Sequence, residues 1–186
     1  MNAPLIPAEM RRRFTTADVE RMVETGLIRP QERVELIEGE LALMSPKHNR
    51  HEWVKVRLAE ALTPFMKPNG LILAVETTLY LSERTFVEPD LLIYPRHILP
   101  EDVRGPDVTL LIEIGDSSLD FDLNAKAALY ARHGIAHYWA VDAETLAAHV
   151  HEAPGEDGYA AVRVADKDEA LAAPFVREAL TLGALR

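Results

Sequence analysis

The chain has no cysteine. That excludes disulfides, thiolate zinc centres and cysteine nucleophiles, and it fits a cytoplasmic setting. No apolar run approaches the roughly 20 residues of a membrane span, so a soluble protein with no membrane partner is expected. Residues 1–13 carry no hydrophobic segment of signal-peptide length, which argues against export. There is no Gly-rich phosphate loop, and Ser117-Ser118 has no Gly-x-Ser-x-Gly setting, so nucleotide-driven and serine-nucleophile chemistries are not expected. Positive charge is also in short supply: 20 Lys and Arg stand against 30 Asp and Glu, a net charge of −10. On its own that balance argues against a high-affinity, non-specific DNA binder.

What is present fits one domain of ordinary size. The 186 residues are 48% hydrophobic, enough for a single good core. The acid excess is uneven. Residues 1–67 are nearly balanced, and the surplus lies in the middle and the C-terminal part. Basic residues concentrate only at Arg11–Arg13 and around Lys47, Arg50, Lys55 and Arg57.

Residues 1–13, with Pro4 and Pro7, read as a flexible arm, and 14–186 as one domain. A short helix is predicted near 16–25, N-capped by Thr15 or Thr16 and closed by Gly26. Residues 33–44 read as a hairpin turning at Glu38-Gly39. A helix follows near 49–66, with Trp53, Val56, Leu58, Ala59, Leu62 and Phe65 at helical spacing, ended by Pro68-Asn69-Gly70. Strands are predicted at 71–75, 78–81, 90–94 and 108–114, then a helix at 122–133, a strand at 137–142 and a hairpin over 146–165. The tail from 168 is ambiguous between helix and strand. This order implies an α/β fold with a mixed central sheet flanked by helices, plus an added N-terminal hairpin and a C-terminal β-hairpin. Tyr138-Trp139 falls on an interior strand and reads as core.

Chemistry centres on the apolar run 110–118, LLIEIGDSS. It places Glu113 inside a buried strand, where an acid costs several kcal/mol unless it is paired or binds a metal. Period-2 geometry puts Asp90, Leu92 and Tyr94 on one strand face, and Thr109, Leu111 and Glu113 on one face of the other. If these strands are neighbours, Asp90 and Glu113 meet. Two converging carboxylates repel, and a hard cation such as Mg²⁺ (or Mn²⁺) relieves that repulsion; the Ile114 carbonyl is a natural further ligand. On the next helix, Lys126 lies at the edge of the apolar face, and its long stem can bring an ammonium to the site. The competing reading makes Asp122 and Lys126 an ordinary i,i+4 surface pair worth about 0.3–0.5 kcal/mol, with Pro89-Asp90 as loop punctuation. The histidine pairs 48/51 and 149/151 lack an adjacent acid in zinc spacing, so no zinc centre is expected.

The segment Glu113–Asp142, EIGDSSLDFDLNAKAALYARHGIAHYWAVD, closely resembles the signature of the Uma-two family, restriction endonucleases of the PD-(D/E)XK nuclease superfamily. Further matches are ELIEGEL (35–41), Ser45-Pro46 followed by His51, and Glu88-Pro89-Asp90, so the resemblance spans about residues 14–165. It implies a restriction-endonuclease-like core, with Asp90 as first acid and Glu113 as second. The superfamily's lysine two positions after the second acid is absent, since position 115 is Gly. In this family the lysine comes from the following helix, here Lys126. Glu35 and His51 also match family positions and are secondary candidates, as is Asp122.

Two functional expectations follow. The first is a Mg²⁺-dependent endonuclease hydrolysing DNA phosphodiester bonds. In it Asp90 and Glu113 hold the metal, Lys126 positions the water, and Lys47, Arg50, Lys55 and Arg57 guide the nucleic acid backbone. The second is a non-catalytic homodimeric or nucleic-acid-associated module that keeps the nuclease fold. A homodimer is expected in either case.

Overall fold

A computed structural model describes residues 7, 10–29, 31–44, 47–176 and 180–185. Ser45-Pro46 and residues 1–6, 8 and 9 of the N-terminal arm lie outside the described residues. The chain forms two compact units, one of Met1–Met44 with Tyr80–Val87 and one of Ser45–Leu79 with Glu88–Arg186.

The first unit holds helix α1 (Thr16–Glu24) and a four-stranded sheet ordered β2-β1-β5-β4, with β1 Val34–Ile37, β2 Glu40–Leu43, β4 Leu79–Ser82 and β5 Thr85–Val87. A capping box starts α1: the Thr15 hydroxyl accepts from Asp18 N–H while Asp18 accepts from Thr15 N–H. Glu38 and Gly39 both take positive φ (50° and 83°), the left-handed pair that a two-residue hairpin turn requires. Val19, Ile28 and Leu36 form this unit's core. Strand β5 lies outside the predicted strands; its three residues are too few to show a period.

The second unit carries the six-stranded sheet β10-β9-β8-β7-β6-β3, built from β3 Leu71–Val75, β6 Leu91–Pro95, β7 Leu110–Gly115, β8 His137–Asp142, β9 Ala148–Gly155 and β10 Gly158–Ala165. The sheet is mixed, as expected. β7 and β8 are parallel and all other neighbours are antiparallel. A parallel pair needs a crossover, and the helical stretch 119–132 supplies it. β7 is buried at every residue, which explains its unbroken apolar run and makes its one acid conspicuous.

Helix α2 (Asn49–Met66) packs on this sheet, but not by the face its large apolar residues suggest. Trp53 and Val56 are 42% and 52% exposed, and the buried stripe is His51, Val54, Lys55, Leu58, Leu62 and Met66. The first turns bury a histidine and a lysine, so polar function hides the apolar period. The tail also packs. Leu171, Ala173, Leu182 and Leu185 join the core, and Leu171 bridges to Leu180.

The crossover helix starts earlier than the sequence indicates and is not uniform. It comprises α3 (Leu119–Phe121), a π-helical turn over Asp122–Lys126, and α4 (Ala127–Arg132). In the π turn, Ala127 N–H reaches back to Asp122 C=O, an i→i+5 bond. Such turns recur at functional sites. Here both ends of the turn, Asp122 and Lys126, are buried at 3% and 6% exposure, which corrects the surface-pair reading.

Candidate active site

The register Leu91↔Ile112 and Leu92↔Leu111 continues one step outward to set Asp90 beside Glu113 at the end of the sheet. Backbone bonds lock them together. Ile114 N–H donates to Asp90 Oδ2 (2.8 Å), and Asp90 N–H donates to Glu113 Oε2 (3.3 Å). Both acids are nearly inaccessible, each 4% exposed.

Each carboxylate has its own counter-charge. Lys126 Nζ donates to Glu113 Oε1 at 2.9 Å, and Tyr130, one turn further along the helix, donates its hydroxyl to the same oxygen at 2.6 Å. Lys47 Nζ donates to Asp90 Oδ1 at 2.6 Å, and His51 Nε2 lies 3.0 Å from Asp90 Oδ2. Burial alone would raise the Asp90 pKa; the contact with His51 and the Lys47 ammonium outweigh it and hold the carboxyl at about 2. Asp90 is therefore ionised at neutral pH.

A third acid, Glu76, stands just past the end of β3. Lys47 bonds it at 2.7 Å and so bridges Glu76 and Asp90. Lys55 bonds it too, and also takes Glu52 at 2.7 Å. Burial raises the Glu76 pKa, and the two lysines more than reverse that, to about 2. Burial pushes the Lys55 ammonium down, but its bonds to Glu52 and Glu76 leave it raised overall. Glu76 holds φ at 49°, a region a non-glycine residue seldom occupies, and its N–H donates to the Asp90 carbonyl at 3.2 Å. Strained backbone of this kind clusters at functional sites.

The structure thus brings together Asp90, Glu113, Ile114 (through its amide), Lys126 and His51. Among the described residues, His51 Nδ1 is buried without a hydrogen bond; the Glu52 carboxylate lies 3.3 Å away but outside bonding geometry. Asp122 opens the π turn, its Oδ2 taking the Ser118 hydroxyl (2.9 Å) and its carbonyl the buried Tyr138 hydroxyl (3.0 Å). Glu35 belongs to the first unit, buried on β1. The expected basic flank divides. Lys47 and Lys55 are bound to the acids of the site, whereas Arg50 pairs with Glu144 (3.7 Å) and Arg57 with Glu60 (2.7 Å) on the exposed side. Glu76 and Tyr130 are the residues that sequence reasoning missed as site members. An acid directly after the apolar run LILAV was the available signal for Glu76. For Tyr130 it was the i,i+4 step from Lys126.

Position 115 explains the absent lysine. A Cβ on Gly115 would lie 2.6 Å from Leu119 Cα and 2.8 Å from its Cβ, because β7 turns straight into the helix there. No side chain fits, so a cation for Glu113 has to come from elsewhere, and the π turn aims Lys126 at it.

The donor set suits a hard divalent cation. Two carboxylates meet at one sheet end, and Mg²⁺ takes one or two such groups while keeping water and substrate oxygens. Among the described residues no three His, Cys, Asp or Glu side chains form a closed metal cage. Among them, also, no helix is long and apolar enough to cross a membrane.

Comparison with known proteins gives a family and a fold neighbour. The model of a family described as "Uma2: Putative restriction endonuclease" matches residues 17–184. No curated protein matches the chain. Among solved structures, a putative nuclease belonging to DUF820 from Anabaena variabilis superposes with a TM-score of 0.74. The two are 15% identical, over 92% of this chain and 97% of that one, a likeness of fold.

Proposed function

The chain belongs to the Uma2 family, and on that premise we infer that it is a Mg²⁺-dependent (or Mn²⁺-dependent) endonuclease hydrolysing phosphodiester bonds in DNA. The observation that carries this reading is the pairing of Asp90 and Glu113 on adjacent strands with Lys126 seated on Glu113. In the reading, Asp90 and Glu113 hold the cation, with the Ile114 carbonyl as a further ligand. The cation when bound supplies Lewis-acid polarisation of the phosphate and a lowered pKa for water.

The chain's own groups do the rest. Asp90, ionised at neutral pH, needs no proton release before it can act as a ligand. Lys126 is aimed by the π turn and positions the attacking water from the Glu113 side, its ammonium also offsetting the charge that builds on the phosphoryl oxygens. Tyr130 fixes the Glu113 carboxylate in one rotamer. Asp90, Glu113 and Lys126 are all buried, which keeps these charges poorly screened.

The test is Mg²⁺-dependent cleavage of plasmid DNA. Asp90→Ala, Glu113→Ala and Lys126→Ala should each lower it by about 10³-fold or more with the fold retained by circular dichroism. Retained cleavage in all three would sink the assignment. Absence of cleavage and of any cation effect on wild type would favour the non-catalytic module.

A further inference from the structure

We propose that Lys47 is a resident cation at the metal position of Asp90, and that it retreats to Glu76 when a divalent ion enters. The inference rests on the metal reading of Asp90 and Glu113. Among the described residues, Asp90 Oδ2 has two neighbouring donor groups, the Ile114 amide and His51, whereas Oδ1 has only Lys47. An entering cation therefore finds Oδ1 already bonded to an ammonium at 2.6 Å, and the two positive charges exclude each other there.

Lys47 is built to leave. It precedes α2 and is held by no helix of its own, and its side chain is 15% exposed, against 6% for Lys55 and 8% for Lys126. It also has somewhere to go. Its Nζ already lies 2.7 Å from Glu76 Oε1, so a small rotation gives up Asp90 while keeping an anionic partner. Glu76 is held in place by Lys55 from within α2 and by its own amide on the Asp90 carbonyl. With Lys47 on Asp90 the buried acid stays paired, which a buried carboxylate requires when no metal is bound. Lys47 thus protects the fold of the metal-free protein and sets a threshold for metal entry.

The experiment is isothermal titration of Mn²⁺ into the full chain, with no substrate present. Losing a charge-assisted bond at Oδ1 should tighten Mn²⁺ binding in Lys47→Met by about tenfold or more. Lys47→Arg, which keeps the cation, should remain near wild type. Lys55→Met removes the same charge without touching Asp90 and should change affinity by less than about threefold. Glu76→Gln should weaken binding in the wild-type background and not in Lys47→Met, because only Lys47 needs Glu76 as its second anchor.

Unchanged affinity in Lys47→Met, or equal tightening in Lys47→Met and Lys55→Met, would overturn the proposal. Asp90→Asn separates the two levels of inference. Binding that vanishes in Asp90→Asn but does not tighten in Lys47→Met refutes the resident cation alone. No Mn²⁺ binding by wild type or Lys47→Met refutes the metal reading with it. Melting curves of each apo variant show whether it is folded, and Lys47→Gln, which also removes the charge and should tighten Mn²⁺ binding in the same sense, carries the comparison if Lys47→Met is not.

Discussion

The two acids at the head of the six-stranded sheet are equally buried and oppositely served. Glu113 is neutralised from the crossover helix, where Lys126 and Tyr130 sit one turn apart and converge on one oxygen. Asp90 is neutralised by Lys47, from the segment before α2, a lysine it shares with Glu76. A cation rooted in a packed helix stays where the fold puts it, and that suits the positioning of water. One tethered by a loop and divided between two acids can be exchanged. Similar ion-pair distances, 2.9 Å and 2.6 Å, can thus serve different ends according to how the lysine is anchored.

The sharpest way to break that contrast is to remove each lysine in turn. Lys126→Met leaves a deeply buried carboxylate short of its counter-charge and should cost about 3–5 kcal/mol in urea unfolding. Lys47→Met withdraws a part-solvated cation from an acid that keeps His51 and a backbone donor, and should cost roughly 1–2 kcal/mol. Equal losses would erase the distinction between a fixed and an exchangeable cation.

Acid denaturation sharpens it from the Asp90 side. Asp90 and Glu76 both have carboxyls lowered to about 2 in the folded protein, from ordinary values of 3.8 and 4.5. The unfolded chain takes up protons first, so the stability these groups contribute is full above pH about 4.5 and lost as pH falls through about 2. The loss should be roughly 2–3 kcal/mol for each of the two groups at the lowest pH. In Lys47→Met that acid limb should shallow, since both carboxyls lose a donor, whereas Lys55→Met, which takes a donor from Glu76 alone, should shallow it less. Urea unfolding at stepped pH values reads both.

The chain order of these elements is largely open to sequence reasoning, and the reasons are local. β7 is an unbroken apolar run with one acid, and β6 follows Pro89, so period-2 counting assigns Asp90 and Glu113 their strand faces, and the β6–β7 pairing then brings them together. The hairpin signal at Glu38-Gly39 and the Thr15 cap are equally direct. What stays hidden is the inward face of α2, because His51 and Lys55 occupy positions that a binary pattern assigns to solvent. The π turn is hidden too. A spacing argument assumes 3.6 residues per turn; it reaches Lys126 by the length of its side chain, but not the i→i+5 bond from Ala127 to Asp122 that shifts the register of the helix after it.

Two smaller effects test the helix side further. Gly115→Ala should cost about 1–3 kcal/mol, because the added methyl meets the Leu119 backbone rather than a side chain that can swing aside. A neutral outcome would remove the steric reason for recruiting Lys126. Tyr130→Phe deletes a 2.6 Å bond to Glu113 and should lower stability by about 1.5 kcal/mol, with Lys126 keeping the carboxylate paired. Its effect should add to that of Lys47→Met, as the two act on different acids, and should not add to that of Lys126→Met.

The most direct test of the central claim is anomalous diffraction from crystals soaked in Mn²⁺. The expected result is a peak between Asp90 and Glu113 within bonding distance of an oxygen from each, with Lys126 still beside Glu113 and Lys47 turned to Glu76. Crystals that show no peak at millimolar Mn²⁺, with Lys47 still on Asp90 Oδ1, would contradict the assignment of these two acids as a metal site.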